Sequence, residues 1–124
     1  MKIIRAAEAP RFALPGIEFT ALASPSRGGA DVCTWRITVA PGLASAEPHH
    51  LDRDEVFMVT AGAIRLRPGG DALGPGDAVV VPAGAPIQLS NAGDGPAEAF
   101  VAITAGFTAT TADGGTVGTP PWAR

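Results

Sequence analysis

Two histidines stand side by side in the stretch AEPHHLDRDEVFMV, residues 46–59, and a glutamate follows five residues after the second. His49 and His50 are the only histidines in the chain. Imidazole and carboxylate together serve two kinds of chemistry. They ligate transition metals, or they move protons near neutral pH when held beside a reacting group. In an extended strand, residues of one parity share a face, so His49 belongs with Leu51, Glu55 and Phe57. His50 then faces the other way, unless a bulge or the turn before Glu55 resets the phase. Glu55 has two environments open to it. At a surface it would pair with Arg53 or Arg65. On an apolar wall, desolvation would raise its pKa and leave an acid or a base available near neutrality. His49 and Glu55 are therefore the catalytic candidates, and His49, His50 and Glu55 the candidate metal ligands.

Short strands must position these groups. Sixteen Gly and twelve Pro cut the chain into pieces too short for ordinary helices. Runs rich in β-branched residues lie at 17–23, 31–40, 55–61, 63–68, 77–82, 86–91 and 97–107. Several alternate: Trp35, Ile37 and Val39 share a parity, as do Ile87 and Leu89. Turns with special backbone needs separate them, AGA at 61–63, GPGD at 74–77 and PAGAP at 82–86. Closure hides the edges of so many short strands. The expectation is one domain over residues 1–124, an antiparallel jelly-roll β-barrel with almost no helix. Trp35, Phe57 and Phe100 read as core, or as a platform for ligand stacking. The stretch 108–124, rich in Gly, Thr and Pro, reads as an extended, loosely ordered tail that Trp122 could pin to the barrel or to a second subunit.

The totals narrow the function classes. The chain has 124 residues, 46% of them hydrophobic and 17% charged, enough apolar material to bury a core. A net charge of -3, with nine Lys and Arg scattered singly, argues against a phosphate-binding surface, so no nucleic-acid partner is expected. No apolar run reaches the roughly 20 residues of a membrane span, and none at the start has signal-peptide form. The reading is a cytoplasmic protein with no membrane partner. The single cysteine, Cys33, reads as a small buried hydrophobe. The glycines of PGGDALGPGD come without the lysine and helix of a phosphate loop.

Residues 42–91 resemble the two motifs of the cupin superfamily, small β-barrels of jelly-roll type. Gly42, Glu55 and Gly62 fit the first motif, in which a His-x-His pair precedes the glutamate. Gly76, Pro82, Gly84 and Asn91 fit the second, whose histidine position is occupied by Ile87. The resemblance implies a barrel with residue 87 opposite residue 49. It also implies a metal site for iron, manganese, zinc or nickel, made by three His and a Glu. Here that site is incomplete: the histidines are adjacent rather than two apart, and Ile87 replaces the last. No cofactor is assigned beyond such a divalent metal.

Two functions follow, with a third class beside them. The first is a small-molecule-binding barrel with an apolar pocket walled by Trp35, Leu51, Phe57, Ile87 and Leu89 and oriented by one His and one Glu. The second is a small enzyme, metal-dependent or acid/base, acting on an apolar or aromatic metabolite as a dioxygenase, isomerase or cyclase. The third is an interaction domain with an exposed sheet as its interface. A homodimer is expected, as the resemblance implies, paired through outer sheet faces and terminal strands.

Overall fold

The computed structural model describes residues 1–45 and 47–124. The described strands are β1 (Arg11–Leu14), β2 (Ile17–Ala21), β3 (Val32–Val39), β4 (His49–Leu51), β5 (Glu55–Ala61), β6 (Ile64–Arg65), β7 (Ala78–Val81), β8 (Ser90–Asn91), β9 (Ala97–Thr104), β10 (Ala109–Thr111) and β11 (Thr116–Gly118). Helix is confined, among the described residues, to single 3-10 turns at Pro25–Arg27 and Pro121–Ala123. None of the helices is long and apolar enough to cross a membrane.

The strands form two facing layers. One is a six-stranded antiparallel sheet in the order β1-β2-β3-β9-β5-β7. The other joins β11-β10-β4 to β6-β8 through a bridge between His49 and Ile87 and a hydrogen bond from the Gln88 amide to Leu66 O. This is a jelly-roll barrel with all its ladders antiparallel. Its core follows from side-chain alternation, since every second residue of a strand faces inward. Cys33, Trp35, Ile37 and Val39 of β3, Phe57 and Val59 of β5, and Ala97, Ala99, Val101 and Ile103 of β9 are all buried in one cluster. Phe100 has the opposite parity. It is half-buried on the outer face, between Arg36 and Met58 in register, so the expectation that it lies in the core is corrected.

Motif residues act as framework. Gly62 turns the chain after β5 at φ +66, and a Cβ there would come within 2.5 Å of Pro96 O and 2.8 Å of Ala97 Cα. Neither contact can be relieved by a flexible side chain, so glycine is needed for both dihedral and space. Asn91 ties three segments together, its Nδ2 donating to the carbonyls of Val39, Ala40 and Gly95 while its Oδ1 accepts from Gly93 N.

The segment 108–124, expected as a loose tail, is folded against the barrel. β10 pairs with both β4 and β11, and Trp122 stacks on Phe19 with ring centroids 3.8 Å apart. The Arg124 backbone oxygen accepts from the hydroxyls of Ser24 and Ser26, and Cys33 Sγ donates to Ala123 O.

Candidate functional site

A cavity of about 590 Å³ lies between the layers. Its wall is almost wholly apolar, including Trp35, Leu51, Phe57, Ile87 and Leu89. Phe19, Phe107 and Trp122 add aromatic surface that the sequence reading did not assign to a pocket. Phe19 was legible as the partner in parity of Ile17 and Ala21. Phe107 and Trp122 were not, because neither stands in a strand: Phe107 lies between β9 and β10, and Trp122 on the 3-10 turn after β11.

His49 and Glu55 line this cavity, and His50 does not. β4 places His49 directly opposite Ile87, each amide donating to the other's carbonyl, at 3.0 and 2.7 Å. Side chains of such a pair emerge on one face, so residues 49 and 87 border the same space. His50, one step along, pairs with Thr110. Gln88, also one step off, sends its Nε2 to Ser45 O instead.

Glu55 opens β5, between Val81 of β7 and Ile103 of β9. It is 4% exposed, and its Oε2 is buried with no hydrogen-bond partner among the described residues. Burial pushes its pKa from 4.5 up to about 8. Neither arginine considered for it forms an ion pair with it: the described ion pairs are Arg11–Glu18 and Arg36–Glu98, and Arg65 donates to Gly70 O. Burial lowers the pKa of His49 from its ordinary 6.5, and the neighbouring His50 lowers it further. At neutral pH the wall thus carries a protonated carboxyl and an uncharged imidazole, each in its less costly buried form.

These donors do not fit a transition-metal site. Among the described residues no three of His, Cys, Asp and Glu gather where they could hold one ion. A catalytic zinc site takes three protein ligands; here Ile87 closes the position opposite His49, and His50 lies off the cavity.

The family model described as "Cupin domain" matches residues 35–103, more than half of the chain. Comparison with curated proteins gives no match. Among solved structures, the polyketide cyclase RemF from Streptomyces resistomycificus is similar with a TM-score of 0.73 at 17% identity, over 84% of this chain and 79% of that one. A sugar phosphate isomerase of the cupin superfamily from Silicibacter pomeroyi is similar with a TM-score of 0.72 at 25% identity, over 90% and 82%. A putative acetylacetone dioxygenase from Methylibium petroleiphilum has a TM-score of 0.72 at 16% identity, over 96% and 89%. With the family model spanning β3 through β9, and the barrel shared with these structures, the chain belongs to the cupin-domain family.

Proposed function

We propose that the barrel binds a small, uncharged, largely apolar molecule in the cavity between its layers. The observation that carries this reading is Glu55, whose buried Oε2 has no partner among the described residues while an apolar wall surrounds it. Buried polar atoms in folded proteins are nearly always hydrogen-bonded, and a ligand oxygen or nitrogen would complete this one. Cavities of this size, mostly apolar with a few polar groups, are the ordinary form of small-molecule sites. The test is titration with the neutral fluorophore N-phenyl-1-naphthylamine. Saturable enhancement at one probe per chain, abolished in Ile87→Arg, supports the reading; enhancement equal in parent and variant, or none, overturns it.

A second reading has its own support. A protonated Glu55 and a neutral His49 on one wall are an acid and a base both ready at pH 7. With a ketone bound, His49 would take a proton from the carbon beside the carbonyl while Glu55 supplies one to the oxygen, giving the enol; the reverse steps regenerate both groups. That is the elementary step of an isomerase or cyclase, the activity in the names of two of the similar structures. Deuterium exchange into 2-tetralone, followed by proton NMR, decides it. Exchange no faster than in buffer, or unchanged in Glu55→Gln, removes catalysis and leaves binding.

The assembly proposed is a homodimer in the cytoplasm. Met58 and Val80 are exposed and Val56 and Phe100 half-buried, on the outer face of the six-stranded sheet. The single cysteine needs no oxidising compartment.

A further inference from the structure

We infer, building on the proposed binding role, that the ligand is an uncharged aromatic molecule of at least two fused rings with an oxygen function at each end, one meeting Glu55 and the other accepting from Trp122 Nε1.

The first support is a second orphan. Trp122 lines the same cavity as Glu55, and its Nε1 is likewise buried without a hydrogen-bond partner among the described residues. Indole N–H is a donor only, so its missing partner is an acceptor. A carboxyl group can donate or accept according to its proton, so a hydroxyl or carbonyl oxygen answers Glu55.

The second support is spacing. Trp122 lies face to face on Phe19 of β2, whereas Glu55 begins β5. In the sheet order, β3 and β9 stand between those strands, which makes three strand spacings. At about 4.8 Å each this is roughly 14 Å between backbones before the barrel's curl and the inward side chains shorten it. The two orphans thus stand across the width of the sheet from each other, which favours an elongated ligand over a single ring.

The third is the wall. Phe19, Trp35, Phe57, Phe107 and Trp122 offer ring faces and edges, which favour aromatic partners in stacked or edge-to-face contact. No lysine or arginine is among the described residues that line the cavity. A phosphate or carboxylate would therefore be desolvated without a counter-charge. A polyol would leave most of its hydroxyls unanswered.

The test uses 2,6-dihydroxynaphthalene as probe, with naphthalene and naphthalene-2,6-dicarboxylate as comparisons. Binding is read by quenching of tryptophan fluorescence, to which Trp35 and Trp122 in the wall both report. The expected order is diol at least tenfold tighter than naphthalene, with the dicarboxylate weakest. Trp122→Phe keeps an aromatic ring and loses the N–H. It should weaken the diol about fivefold more than it weakens naphthalene, with Trp35 still reporting. A melting curve of the variant confirms that it is folded, and Glu55→Met, which removes the other anchor, should also weaken the diol selectively. Equal affinities for diol and naphthalene, or equal losses for both in these variants, overturn the two-oxygen ligand while leaving the binding barrel. If none of the three compounds and no N-phenyl-1-naphthylamine binds, the binding role itself falls.

Discussion

Glu55 makes stability depend on pH in a direction opposite to that of most carboxylates. Below pH 4.5 the group is protonated in both folded and unfolded chains. Between 4.5 and about 8 the unfolded chain ionises while the folded one keeps its proton, so stability falls as pH rises, and it levels above that range. The full fall is on the order of 5 kcal/mol, since each pH unit in that range is worth about 1.4 kcal/mol. Glu55→Gln should flatten this limb and melt higher than the parent at pH 9, as calorimetry across pH 5–9 would measure. His49 works the other way: its lowered pKa favours the neutral form in the folded state, so its contribution is lost as pH falls below 6.5. The residue opposite His49 supports a second prediction. Ile87→His would place a third donor beside His49 and Glu55. The metal-free variant should lose about 1–3 kcal/mol for burying imidazole in place of an apolar side chain. Zinc should then raise its melting temperature well beyond any shift in the parent, because the ion binds the folded state only. Equal shifts would mean that position 87 does not share the space of His49 and Glu55.

At the scale of elements, long alternating strands were legible and short ones were not. β3, β5 and β9 run seven or eight residues with inward parity kept throughout β3 and β9 and from Glu55 to Val59 in β5, which is enough pattern to read a face. β1, β4, β10 and β11 have three or four residues each, too few for periodicity, and β4 and β10 depend on pairing with each other across the chain. The runs at 63–68 and 86–91 shrank to ladders at 64–65 and 90–91. Pro68 and Pro86 lack the amide that a continued ladder would use. His49 and Glu55 were readable as a pair because their types are rare on an apolar run. The aromatic end of the cavity was hidden because Trp122 arrives on a 3-10 turn fixed by long-range bonds to Ser24 and Arg27. The turn after β5 gives a third prediction. Gly62→Ala should cost roughly 1–3 kcal/mol for the left-handed backbone alone, and more for the contact with Pro96 O, seen as a drop in the midpoint of urea unfolding.

For the whole molecule, the outer sheet face and the interior divide the work. The proposed dimer would cover Val56, Met58, Val80 and Phe100, a face that is apolar although it points away from the core. Light scattering at micromolar concentration should give twice the 12.5 kDa chain mass, and Met58→Lys with Val80→Asp should return it to one. A monomeric parent would contradict the pairing. The bonds that hold the last turn bear on a different property, the speed of exchange. Ser24, Ser26 and Arg27 grip the backbone oxygens of residues 122 and 124, and these fix Trp122 as part of the cavity wall. Were the proposed ligand to pass at that end, the grip would have to open, and its residence time would be set by these hydrogen bonds rather than by its fit. A molecule held loosely could still leave slowly, and dissociation would quicken with denaturant well before the barrel itself gives way.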